Sequence, residues 1–267
     1  MNLKKIASIA FIAASCAMAF QPAAADTLDD VKAAGKLRVA IDLGLPPFGM
    51  LDQNQQPTGS DIDAAKLLAK DLGVELEVVR TTTPNRIPFL LTNKADVIIS
   101  TLSITEERMK VIDFSKPYSV LAQAVAAPQS AQIKDYADLK GQKVATVRGA
   151  QGDAILSANT KDAQIMKFDD DATAVTAVLS GQADILANST AVIQQLKDKA
   201  PDRNFETKFL MKNYALGVGL RKNNPKFKAF LDEWAQKNFQ NGQLNTIYKG
   251  YLHVDLPADL MEMAPAK

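Results

Sequence analysis

The run Ser100-Thr101-Leu102-Ser103-Ile104-Thr105-Glu106-Glu107-Arg108 places four hydroxyls ahead of an arginine at what reads as a strand end, a turn and the start of a short helix. Hydroxyls and backbone N–H groups in such a turn bind anions, and Arg108 can add two parallel charge-assisted hydrogen bonds to a carboxylate. Spacing alone leaves a plainer alternative open, in which Thr105 caps the helix and Arg108 pairs with surface acids. A second segment, Arg148-Gly149-Ala150-Gln151-Gly152, follows a strand pattern at Lys143–Val147 and precedes a helix. Its glycines permit close backbone approach and a helix N-terminus favours negative charge, so it suits either the opposite wall of an anion site or a simple tight turn. It matches neither GxxxxGK[ST] nor GxGxxG, so no nucleotide cofactor is implied.

Catalytic chemistry finds few candidates. The only histidine, His253, lies near the C-terminus and reads as structural; the only cysteine is Cys16. No GxSxG elbow and no His-Glu metal motif occurs. Carboxylates are too numerous to single out without geometry. No catalytic residue, metal site or cofactor is assigned.

The elements around these groups alternate. Strand patterns at Leu37–Ile41, Val74–Val79 and Val97–Ile99 are separated by a helix at Asp61–Leu72 and a helical stretch ending at Leu91. The Asp61–Leu72 helix carries Ile62, Ala65, Leu68 and Leu72 on one face, with Ser60 as expected N-cap and Gly73 as stop. After Pro128 the pattern repeats, with strands at Lys143–Val147, Gln164–Phe168 and Ile185–Ala187. Its helices open near Gln151 and span Ala172–Leu179 and Thr190–Lys199. A strand at Leu216–Leu220 and helical runs around Trp234 and Ile247 close the chain. This is an α/β chain of parallel sheets. The segments Leu91–Thr101 and Leu179–Ser189 also match each other about their Ala-Asp pairs, each a helix end, a turn and a buried strand finishing on two small polar residues. Since ligands bind at the carboxyl ends of parallel strands, two facing sheets would present Ser100-Thr101 and Asn188-Ser189 across one cleft.

Composition narrows the class. With 267 residues, 47% hydrophobic and 23% charged, the chain supports one large or two small packed domains and excludes disordered or collagen-like classes. Lys4 and Lys5 precede an apolar run from Ile6 to Phe20 that ends in Ala23-Ala24-Ala25, so residues 1–25 read as a secretory signal peptide cleaved before Asp26. A lipid-anchored reading at Ala14-Ser15-Cys16 has only Ala13 where a larger aliphatic residue is usual. Removal of the leader takes the formal charge from +1 to −1 and removes the cysteine. The expected product is exported and soluble, with no basic excess to invite nucleic acid.

Ordered motifs along almost the whole mature chain give it a family resemblance. They are Gly35-Lys36-Leu37-Arg38-Val39, Pro46-Pro47-Phe48, Gly59-Ser60-Asp61-Ile62-Asp63, Asn85-Arg86-Ile87-Pro88, Ser103 to Arg108, Asp113-Phe114-Ser115-Lys116-Pro117-Tyr118 and Gly217-Val218-Gly219-Leu220-Arg221-Lys222. The chain resembles a family 3 extracellular solute-binding protein of a polar amino-acid ABC transporter. The resemblance implies a type II periplasmic-binding-protein fold of two α/β lobes, each a mostly parallel sheet flanked by helices. Lobe 1 would span 26–122 and 216–267, lobe 2 would span 126–213, and hinges would lie near 123–125 and 214–215. A small polar amino acid would be trapped by hinge closure in a periplasmic monomer and delivered to an inner-membrane permease.

By the same resemblance, Arg108 grips the ligand α-carboxylate with help from Ser100, Thr101, Ser103 and the Gly149–Gln151 turn. Departures from the family pattern bear on the ligand. Leu45 and Thr83 stand where relatives place aromatics, and Asn188 or Ser189 stands where an aspartate commonly holds the α-amino group. Hydroxyl and amide oxygens would then replace that carboxylate, or the ligand would not be an ordinary α-amino acid. Asp42 suits a ligand ammonium and Arg86 a side-chain carboxylate, unless the two pair with each other. A competing expectation is a secreted dehydratase of arogenate or prephenate on the same fold, which needs a buried acid of raised pKa in the cleft.

Overall fold

The structure, a computed structural model, describes residues 26–266, so the leader and Cys16 lie outside the described residues. The chain begins with α1 (Thr27–Ala34), β1 (Lys36–Asp42), a hairpin of β2 (Met50–Leu51) and β3 (Pro57–Thr58), and α2 (Ser60–Leu72). It continues through β4 (Glu75–Thr81), α3 (Arg86–Leu91), β5 (Val97–Ile98) and α4 (Glu106–Met109). A long strand, β6 (Asp113–Pro128), leads into β7 (Lys143–Val147), α5 (Gln151–Asn159), β8 (Gln164–Phe168), α6 (Asp171–Leu179), β9 (Ile185–Ser189) and α7 (Thr190–Lys199). An equally long strand, β10 (Phe205–Leu220), returns before α8 (Pro225–Gln240) and α9 (Gln243–Leu252).

Hydrogen bonding runs through one eight-stranded order, β4-β1-β5-β10-β6-β9-β7-β8. Each flank is a parallel triplet, with β1 between β4 and β5 and β7 between β8 and β9. The centre is the antiparallel pair β6–β10, which carries four register shifts. The two triplets therefore meet through shared strands rather than as separate sheets. Reading the order from either end gives the same sequence of roles, β4, β1, β5, β10 against β8, β7, β9, β6. The internal match found in the sequence has this symmetry as its origin. Asp96 donates its amide to the Arg38 carbonyl of β1, and Asp184 likewise to the Lys143 carbonyl of β7.

Buried strands explain why the triplets read as apolar runs: Val39, Ala40 and Ile41 are fully buried in β1, as are Val144 and Ala145 in β7, with helices packed on both faces. The apolar face of α2 is buried as its periodicity requires, and Gly73 closes the helix in the left-handed region at φ 73°. Ser60, however, is not its N-cap. That position belongs to Gly59 at φ 125°, where a Cβ would lie 2.2 Å from the Phe48 carbonyl oxygen, so only glycine fits. Ser60 is the first helical residue and its buried hydroxyl has no partner among the described residues.

The halves touch across a cleft at the carboxyl ends of the parallel strands. Gln195 of α7 donates from Nε2 to the Pro46 carbonyl at 2.9 Å, and Arg108 reaches Gly149 on the far side.

Candidate functional site

The turn after β5 is built under strain. Thr101, a β-branched residue, adopts φ 45°, a conformation that costs free energy unless its surroundings impose it. They do: the buried Asp61 carboxylate accepts the Thr101 amide at 2.8 Å and the Tyr118 hydroxyl at 2.8 Å. Burial pushes the Asp61 carboxyl up to about 6, while Tyr118, the Thr101 amide and Arg86 hold it lower than burial alone would. Four residues further on, Thr105 caps α4 by accepting the Arg108 amide at 3.2 Å. Capping does not exclude the other role left open by the sequence, because Arg108 meets no surface acid. Nη1 donates to the Ser103 carbonyl at 3.1 Å and Nη2 to the Gly149 carbonyl at 3.0 Å. Removing the cap with Thr105→Ala is expected to cost about 1 kcal/mol of stability, measured by urea unfolding.

Opposite, the chain after β7 turns through Gly149 at φ 70° into α5. Gly152 lies against β9 so closely that a Cβ would come within 2.8 Å of the Ala187 carbonyl oxygen. Gln151, with its amide oxygen toward Arg108, accepts from Nη1 and Nη2 at 3.2 and 3.3 Å and donates to the Tyr214 hydroxyl at 3.2 Å. A guanidinium thus faces the N-terminal end of α5, two positive poles converging on one space.

Between these walls lies a small cavity of about 30 Å³. Of the residues singled out in the sequence, Arg86, Thr101, Ser103, Arg108, Gln151, Asn188 and Ser189 line it. Leu45 and Thr83 line it as well, in place of aromatics. Ser100, Gly149 and Asp42 do not. Ser100 lies beneath, its hydroxyl accepting the Asp42 amide at 2.9 Å, and Gly149 contributes its carbonyl to Arg108. The Asp42 carboxylate accepts the Gly44 amide at 2.9 Å and the Thr83 hydroxyl at 3.3 Å, which places Thr83 between it and the cavity lining.

Arg86 is buried against the floor, yet it forms no ion pair with Asp42 within 4 Å. Nε donates to the Thr83 carbonyl at 3.0 Å and Nη1 to the Ser100 carbonyl at 2.6 Å, so Thr83 stands between the two charges. Burial lowers the Arg86 pKa, and Asp42, Asp171 and Asp61 oppose that shift through space. Arg108 is pushed down to about 9 by burial and then by the neighbouring charge of Arg86, and remains a cation at neutral pH.

Two polar lining residues escaped sequence reasoning. Asp171, at the start of α6, is buried and accepts from Asn188 Nδ2 at 2.7 Å; Gln123 of β6 is buried with an unpartnered Oε1. Asp171 hides in the acidic run Asp169-Asp170-Asp171, where Asp170 caps the helix and Asp169 pairs with Arg148. The run's place after a strand end was its only signal. Among the described residues no cluster of His, Cys, Asp and Glu suits a metal, and no helix is long and apolar enough to cross a membrane.

Two mirrored α/β halves, joined by paired strands and closing on a small charged cleft, define a two-lobed solute-binding protein. The chain belongs to the bacterial extracellular solute-binding proteins, family 3, matching that family over residues 37–254. It is 30% identical over 240 residues to the ABC transporter glutamine-binding protein GlnH of Bacillus subtilis (strain 168), covering 88% of this chain and 87% of the relative. Among solved structures it resembles the P235GK mutant of ArgBP from T. maritima, with 30% identity, a TM-score of 0.78, and coverage of 85% of this chain and 100% of that one. It is similarly close to the ancestral amino acid-binding protein AncCDT-1, a precursor of cyclohexadienyl dehydratase, with 34% identity and a TM-score of 0.78 over 84% of this chain and 99% of that one.

Proposed function

We propose that this protein captures a small polar amino acid in the periplasm, after removal of residues 1–25, and hands it as a monomer to an inner-membrane ABC permease. The observation that carries the ligand class is the reach of Arg108 from the Ser103 carbonyl of one half to the Gly149 carbonyl of the other. A ligand carboxylate placed between Arg108 and the N-terminal end of α5 binds both halves at once, which couples capture to closure. Residues 26–122 with 216–267 would move as one lobe against 126–213, bending near 123–125 and 214–215. Within the cleft, Thr101 and Ser103 would add donors to the carboxylate.

The far end of the cavity favours an oxygen-bearing side chain over a cationic one. Arg86 lines it and Asp42 does not, and none of the described lining residues is aromatic, so a flat cation finds no stacking surface. The test is thermal unfolding of refolded, ligand-stripped protein against single amino acids, because a ligand at 100 times its Kd stabilises by about 2.7 kcal/mol. Glutamate, aspartate or glutamine is expected to raise the Tm more than arginine or lysine. No shift with any α-amino acid would overturn the reading.

One observation favours the dehydratase alternative: Asp171 is an acid in the cleft, raised to about 6 by burial. Incubation with prephenate and arogenate separates the two. A binding protein leaves both unchanged, whereas release of water and carbon dioxide from either would establish an enzyme.

A further inference from the structure

We propose that Asp171, oriented by Asn188 and joined by the Gln123 side-chain oxygen, is the site that binds the α-ammonium group of the ligand. The inference rests on the amino-acid reading above and assigns the other half of the zwitterion. At Asn188 and Ser189, where relatives commonly carry an aspartate for this purpose, the polar atoms are already engaged. Asn188 Oδ1 accepts the Ser189 amide at 2.7 Å and its Nδ2 donates to Asp171 Oδ1; Ser189 Oγ accepts the Val192 amide at 3.3 Å and caps α7. Each of these oxygens already accepts one bond, and neither carries the charge that a carboxylate sets against an ammonium.

Asp171 supplies one. Among the described residues its only hydrogen-bond donor is Asn188, on Oδ1, and it forms no ion pair within 4 Å, so Oδ2 is available in a cavity it lines. Gln123 contributes an independent acceptor, since its Oε1 is buried, lines the same cavity and has no partner. A buried acceptor without a donor is costly, and an ammonium group can satisfy both oxygens at once. The cleft thereby acquires polarity. Arg108 and the α5 end take the carboxylate, while Asp171 and Gln123 take the ammonium. The groups facing Asp171 are Asn188 from β9, Arg86 from α3, Asp42 from β1 and its own neighbour Asp170. Gln123 also pairs with Ser189 of β9 and with Lys212 of β10, so ammonium contact falls where the crossing strands enter the second half.

The experiment is calorimetric titration of three pairs of compounds that differ by the amino group alone: L-glutamate and glutarate, L-aspartate and succinate, L-glutamine and glutaramate. At pH 7.5 the wild-type protein is expected to prefer the amino acid of whichever pair binds by about 10- to 100-fold, as for a charge-assisted hydrogen-bond pair. Asp171→Asn is expected to abolish that preference while leaving the affinity of the amine-free acid within about threefold. Wild-type protein at pH 5 gives a second measurement that needs no variant. With a carboxyl near 6, about a tenth of Asp171 is ionised there, and the preference is expected to shrink about tenfold. Titration of Asp61 acts on both members of a pair and cancels, but the amine-free acids take up protons near pH 5 where the amino-acid α-carboxylate does not, so each affinity is expressed per ionised ligand before the ratio is taken. An undiminished preference in Asp171→Asn, or one unchanged between pH 7.5 and 5, overturns the assignment while amino-acid binding stands. No heat from any amino acid with wild type overturns the functional reading and the assignment with it.

Discussion

Arg108→Ala is expected to weaken amino-acid binding roughly a thousandfold and to leave the unliganded fold almost unchanged. Truncating one partner of a buried, hydrogen-bonded charge pair costs about 2–5 kcal/mol, and the ligand carboxylate left behind in the cleft would have no cation in direct contact. Arg86 is held in place through Nε and Nη1 by the Thr83 and Ser100 carbonyls, which leaves Nη2 to donate at its own end of the cavity and not as a two-pronged replacement for Arg108. The fold is spared because Arg108 is only half-buried and bonds solely to carbonyls and the Gln151 amide, all at the cleft. Arg108→Lys separates charge from geometry. An ammonium keeps the charge but cannot span the Ser103 and Gly149 carbonyls as a planar fork does, so an intermediate loss of about 10- to 50-fold is expected. Isothermal titration with the tightest-binding amino acid checks both variants. A loss below tenfold in Arg108→Ala would place the carboxylate elsewhere in the cavity.

The parts of this molecule that were legible in the sequence are those whose pairing is regular from end to end. Strands β7 and β8 have the bounds their patterns gave, Lys143–Val147 and Gln164–Phe168, and they pair with each other in unbroken parallel register over that whole length. The crossing strands were not legible from periodicity. In β10, residues Phe205 to Asn213 pair only with β6 and alternate raggedly between buried and exposed, with Lys208 and Lys212 reading as loop; only Leu216–Leu220, flanked on both sides, looks like a strand. The wall proposed to hold the ligand carboxylate was legible as a cluster for a different reason. Its groups cluster within nine residues of chain, Ser100 to Arg108. The opposing wall draws Gln123, Asp171 and Asn188 from three distant elements, and nothing local distinguishes Asp171 from the two acids before it. Asp42 was misleading because its type suits a ligand ammonium while its neighbours, Gly44 and Thr83, already satisfy it.

A carboxylate kept for a ligand should cost the protein stability, and Asp171→Asn is expected to stabilise the unliganded fold by about 1–3 kcal/mol at pH 7.5. The sign follows from linkage. Burial raises the folded-state carboxyl to about 6 from an unfolded value of 3.8, so the folded state binds more protons between those limits. Stability from this group is therefore present at low pH and is lost as pH rises from about 4 to 6, a loss of at most about 3 kcal/mol for a shift of that size. Asparagine keeps an oxygen for Asn188 Nδ2 and carries no charge, so its gain should appear at pH 7.5 and fade by pH 4. In a chain of this length it should raise the Tm by about 2–12 °C at the higher pH. Asp61 supplies the contrast. Its carboxyl is raised to a similar value, but both oxygens are engaged, by Tyr118 and by the Thr101 amide. Asp61→Asn must set an amide donor against one of those donors and lose the support of the strained Thr101 turn, so it should destabilise the fold at every pH. Thermal melts of the two variants across pH 4 to 7.5 check the pair. A destabilised Asp171→Asn would mean that its carboxylate holds the fold together, as that of Asp61 does, and the distinction between a ligand-directed and a structural acid would fail.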